Sequence, residues 1–138
     1  MTAKEFLRQA RNIDRRIDEA SERVERQRAR LEAGRMSSIT GMPRGGAGDW
    51  TVTADRLMEL ERDVNARVRD MCRLKRLAQG AIDRVEDARY RELLELYYID
   101  GYTWEQVAET MEYDVRHVTR LHGEALLKVR VPKEEENG

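Results

Sequence analysis

Four side chains of this 138-residue sequence stand close together and carry the chemistry of recognition: Arg116, His117, Thr119 and Arg120. Arg116 and Arg120 are four apart, so a helix would put them on one side with His117 and Thr119 on the flanks. An arginine can donate two parallel hydrogen bonds to the O6 and N7 edge of guanine, and such a set near the start of a helix suits the major groove of double-stranded DNA. Bond-making chemistry is harder to find. His117 and His122 are five apart, about 140° around a helix, whereas two metal ligands on one helix want a spacing of four. Cys72, the one cysteine, has no histidine near it in sequence, which makes it a bystander rather than a nucleophile and excludes an intramolecular disulfide. Carboxylates alternate with arginines, as in Arg15-Arg16-Ile17-Asp18-Glu19 and Arg62-Asp63, the pattern of a solvated helix face. Gly45-Gly46-Ala47-Gly48 lacks the Lys-Ser/Thr and the preceding strand of a phosphate loop. The sequence therefore predicts no catalytic residue, no metal and no cofactor, and reads as non-enzymatic. Arg35 and Arg44, in a glycine-rich linker, are candidates to reach a phosphate backbone, although solvated linker arginines are the plainer reading.

The segment that must position these residues is 90–127. Leu93, Leu94, Leu96, Tyr97 and Tyr98 end a helix at Asp100-Gly101, where glycine can take the positive φ that closes it. Thr103 stands three residues before Gln106 as a capping box, and the helix it opens carries Trp104, Val107, Ala108 and Met111 at helical spacing. After the turn Glu112-Tyr113, Asp114 is placed as N-cap of a last helix with Val118, Leu121, Ala125 and Leu126 inward. Trp104 is expected in the core, with partners such as Tyr97 and Leu121. Together these signals predict a helix-turn-helix.

The run LLELYYIDGYTWEQVAETMEYDVRHVTRLHGEALLKV resembles region 4 of bacterial sigma factors over about 40 residues. With MTAKEFL at its start and MPRGG in its middle, the complete chain resembles phage sigma-like or ArpU/RinA-type late transcription regulators. The resemblance implies DNA binding and transcription regulation of late genes, with contact to RNA polymerase as a further partner. The chain has Glu112 where that family usually has glycine in the turn, and Asp114 where it usually has serine at the cap.

Charge runs against a simple DNA-binding head. Residues 86–138 hold 7 Lys+Arg against 13 Asp+Glu, a net of −6, whereas residues 1–85 hold 19 against 14, a net of +5. Because phosphate neutralisation supplies most non-specific affinity, an acidic head would bind weakly and with strong salt dependence.

Upstream the pattern is long helix. Thr2 and Glu5 match a capping box, followed by Phe6, Ala10, Ile13, Ile17, Ala20, Val24 and Leu31 in heptad rhythm, interrupted by Gln27. The rhythm stops at Gly34. A second stripe, Leu57, Leu60, Val64, Val68, Met71, Leu74, Ala78, Ile82 and Val85, begins near Thr53, with Val52 and Leu57 placed as a hydrophobic staple. Helices over 3–33 and 54–85 would each be roughly 45 to 50 Å long at about 1.5 Å per residue. The expected fold is all-α: a long antiparallel, coiled-coil-like helical hairpin over 1–85 with a flexible linker at 34–52, a helix-turn-helix domain over 86–131, and a disordered acidic tail over 132–138. Two helices bury only a narrow seam, so the hairpin is expected to pair with a second copy as a homodimer or to pack on the C-terminal domain.

At 38% charged and 6% aromatic residues, the composition suits long exposed helices rather than a large core. Charged residues at Lys4, Glu5 and Arg8 and the lack of an apolar run approaching 18 residues predict no signal peptide and no membrane partner. The cytoplasm of a host bacterium is the expected compartment. Two alternatives to a DNA-binding regulator are an adaptor that touches RNA polymerase without reading bases and a small terminase-like packaging protein that would form a ring.

Overall fold

Thr2 opens the first helix as its sequence predicts. Its Oγ1 accepts from the Glu5 amide at 3.1 Å, and the Glu5 carboxylate accepts from the Thr2 amide at 3.1 Å. In the computed structural model, which describes residues 1–39 and 47–133 with side chains over 1–34 and 52–133, helix α1 spans only Ala3–Ala10. Helix α2 follows at Ile13–Ile39 and α3 at Ala47–Asp83. Then come α4 (Ala88–Leu94), a π-helical turn (Glu95–Ile99), α5 (Trp104–Met111) and α6 (Val115–Leu126). All regular structure among the described residues is helical, so the fold class is all-α.

Three expectations about the long helices are corrected. The single helix over 3–33 is broken at Arg11-Asn12, because Asn12 takes a left-handed φ of 63° that an α-helix cannot contain. Its amide side chain lies against Gly101, where an added Cβ would stand 2.8 Å from Asn12 Oδ1, and Arg11 donates to the Tyr102 carbonyl at 2.8 Å. The break is thus made by docking onto the 100–102 turn, not by a weak local helix signal. The linker is also shorter than 34–52: α2 continues to Ile39 through Gly34, which costs an exposed helix only about 1 kcal/mol relative to alanine, and α3 begins at Ala47. Val52 is half exposed inside α3, so it does not staple a helix start.

Residues 1–13 and 71–138 form one compact unit, and residues 14–70 form another. The division expected at residue 85 falls inside the first of these. Its core takes Phe6, Leu7 and Ala10 from α1, Ala78, Ala81 and Ile82 from α3, and Leu93, Leu94, Tyr98, Val107, Val118, Leu121 and Ala125 from the C-terminal helices. Leu7 is 0% exposed, as deep as any residue of α4 to α6. In the second unit Val24 and Val64 are buried, Ile17, Ala20, Gln27, Leu31, Leu57 and Leu60 are half-buried, and Arg28 of α2 donates to Glu61 of α3 at 2.7 Å. The two helices therefore lie side by side at that level.

Candidate nucleic-acid interface

The local sequence fixes α5 and α6 as written. Thr103 Oγ1 accepts from the Gln106 amide at 3.2 Å while Gln106 Oε1 accepts from the Thr103 amide at 2.9 Å, closing the capping box. Glu112 ends α5 in the left-handed region at φ 61°, and its amide reaches the carbonyls of Ala108 and Glu109. Asp114 then caps α6 by accepting from the His117 amide at 2.7 Å. Only three residues, 112–114, separate the helices. Val118, Leu121 and Ala125 bury the inner face of α6, which leaves Arg116 and Arg120 on the outer one.

The four predicted site residues do not act alike. Arg116 and Arg120 are exposed and, among the described residues, engaged in no hydrogen bond or ion pair, so their guanidinium groups keep their donors for a partner. His117 is half-buried against Tyr113, ring centroids 4.3 Å apart. Thr119 donates its hydroxyl to the Val115 carbonyl at 2.9 Å and lies on the other flank of the helix. Arg35 stands on α2 with its side chain outside the described residues, and Arg44 and tail residues 134–138 lie outside them altogether.

Thr119 leads to a feature that sequence reasoning missed. It borders a pocket of about 330 Å³ between α1, the π-helical turn and α6. Lys4, Arg8 and Arg11 of α1 line one side. Spaced four and three apart, they form a cationic stripe on one helix face, a signal present in the sequence but hidden by the apolar stripe beside it. Tyr97 and Trp104 line another side, their rings stacked 3.8 Å apart and 8° from parallel. The Arg11 guanidinium sits over the Tyr97 ring at 4.1 Å. Trp104 is half-buried, so it is a wall of this pocket as much as part of the core. Of the partners expected for it, Tyr97 is in contact.

Tyr98 and His122 make the floor, hydroxyl to Nε2 at 2.6 Å. Burial pushes the Tyr98 hydroxyl up to about 12, so it stays protonated. Burial, with the Lys4 charge second, pushes the His122 ring down to about 4. The ring is neutral at pH 7, so across this contact one partner donates and the other accepts, as the imidazole tautomer dictates. Buried, neutral and mutually satisfied, the pair is a structural joint between the π-helical turn and α6.

The compact unit also changes the charge balance. Residues 1–13 add 3 Lys+Arg against 1 acid, and residues 71–85 add 4 against 1. Over 1–13 and 71–138 the unit holds 14 Lys+Arg against 15 Asp+Glu, a net of −1, so most of the −6 carried by segment 86–138 is balanced within its own unit. Among the described residues no helix is long and apolar enough to cross a membrane, and no group of three or more potential ligands could hold a metal ion. The chain matches no family model, no curated protein and no solved structure.

Proposed function

We propose that the protein binds double-stranded DNA through α6 and regulates transcription, in the manner that its resemblance to phage late regulators implies. The observation that carries this reading is the pair Arg116 and Arg120: exposed, unengaged and one turn apart on a helix whose start is pinned by Asp114. Arginine at this spacing suits two neighbouring guanines or a guanine and a phosphate. The function needs no catalytic group or cofactor, and its setting is the bacterial cytoplasm. A homodimer through α2 and α3 belongs to the same reading, supported by the half-buried apolar side chains that one pair of helices leaves at its edge.

The test is fluorescence anisotropy with late-promoter duplexes across a salt series. Arg116→Ala or Arg120→Ala should lose about 1 to 3 kcal/mol on the preferred site and relax preference at one base pair. Equal loss on every sequence would mean a phosphate contact instead. If the double variant binds like the wild type at low salt, α6 does not read bases.

One observation favours a second reading. Glu105, Glu109 and Glu112 are all exposed along α5 and its C-cap, an acidic strip suited to a basic protein surface such as one on RNA polymerase. Glu105→Lys with Glu109→Lys should then abolish polymerase capture while sparing DNA affinity.

A further inference from the structure

Lys4 and Arg8 are exposed, and among the described residues neither makes a hydrogen bond or an ion pair. The one acid in α1, Glu5, is occupied in the capping box with Thr2. Arg11, third in the stripe, is held by the Tyr102 carbonyl and the Tyr97 ring, and its Nε is buried without a partner. Three cations thus converge on one pocket with no carboxylate in its lining, and the other polar groups there are the hydroxyls of Tyr97, Tyr98 and Thr119, the Trp104 indole N–H and the His122 ring. Holding like charges together without a counter-ion costs free energy that a bound anion would return. A tetrahedral anion with several acceptor oxygens matches a mobile ammonium and two guanidinium forks better than a planar carboxylate does.

We propose that this pocket takes a phosphate group, contacted by Lys4 and Arg8 with Arg11 as a fixed guanidinium behind them. The inference rests on the reading of α6 as the DNA-facing helix for one point, the source of the phosphate. Thr119 belongs both to the pocket lining and to the flank of the helix that presents Arg116 and Arg120. A duplex lying on α6 would bring its backbone to the pocket mouth, and α1 would then supply the phosphate contacts that the acidic C-terminal segment lacks. A free phosphomonoester is the other source with the same chemistry.

The full chain carrying Trp50→Phe leaves Trp104 as the only tryptophan, and Trp104 lines the pocket. Its emission is followed while titrating inorganic phosphate, deoxyadenosine monophosphate or a mixed-sequence 20-base-pair duplex, with and without Lys4→Gln and Arg8→Gln. Both replaced side chains are exposed and unpaired, so the fold is expected to survive, which a melting curve verifies. The expected result is a saturable change with duplex only, and a salt slope of log affinity that falls by about 1 in the Lys4→Gln, Arg8→Gln double variant, equally for all sequences. Saturation by phosphate or the mononucleotide, lost in the double variant, also upholds the site and assigns it a free ligand. If the duplex then fails to bind at all, the DNA reading falls while the site stands. Duplex binding that depends on Arg116 and Arg120 but keeps its salt slope in the double variant, with no response to free phosphate, overturns the site and leaves the DNA reading intact. Silence in every titration overturns both.

Discussion

At the scale of single residues, two positions show how local conformation and burial set the stability of the C-terminal head. Glu112 occupies the left-handed region, where a residue with a Cβ costs roughly 1 to 2 kcal/mol. Glu112→Gly should therefore raise the stability of the unit by up to about 1 kcal/mol, the relief being partly offset by the greater freedom of glycine in the unfolded chain. A urea midpoint that falls instead would show that the Glu112 side chain contributes something the turn geometry does not reveal. His122 provides a pH signature. Its ring falls from an ordinary value of 6.5 to about 4 on folding, so between these values the unfolded chain binds a proton that the folded chain refuses. Stability is then flat above pH 6.5 and drops as pH falls toward 4, by on the order of 2 kcal/mol. Urea unfolding at pH 7 and pH 4.5 should show a smaller difference for His122→Gln than for the wild type. An equal difference would mean that His122 already carries its proton in the folded protein.

At the scale of elements, removal of α1 contacts is the sharpest probe. Leu7→Ala creates a cavity between α1 and the C-terminal helices and should cost about 2 to 5 kcal/mol, as much as a truncation inside α6 such as Leu121→Ala. If Leu7→Ala melts like the wild type, α1 is not part of the core. Thr103→Ala, which removes one half of a capping box, should cost about 1 kcal/mol.

The sequence made some of these elements legible and hid others for identifiable reasons. The Thr2, Thr103 and Asp114 caps were readable because capping depends on side chains three residues apart. The inner faces of α5 and α6 were readable because burial follows the helical period. The break at Arg11-Asn12 was not, since it is made by Gly101 and Tyr102, about ninety positions away, while the apolar rhythm runs on through Ile13 and Ile17. The linker expected over 34–52 is too long because the apolar rhythm stops at Gly34, yet α2 runs on through that glycine at an exposed position that tolerates it. In the candidate site, the exposed pair Arg116 and Arg120 followed from periodicity. The pocket did not, because its walls come from α1, the π-helical turn, the start of α5 and α6, and only the fold brings them together. Trp104 was placed on the right helix but too deep.

At the scale of the whole molecule, the proposed dimer is the testable statement. Light scattering should give about twice the 16.2 kDa chain mass, and Leu60→Asp should return it to the chain mass by placing a charge on the half-buried apolar edge of the helix pair. A wild-type protein that already runs at 16.2 kDa rules out this assembly. The location of α1 has a separate consequence for how the chain is made. Arg11 leaves the ribosome 91 residues before Tyr102, the residue whose carbonyl it binds. Until the last helices emerge, Phe6, Leu7 and Ala10 have none of their partners from α4 to α6, and closing so long a loop slows folding. The head can therefore form only at the end of synthesis, with α1 waiting as an amphipathic peptide whose apolar side is uncovered. During that interval the nascent protein is open to chaperones and to self-association in a way that the finished protein is not.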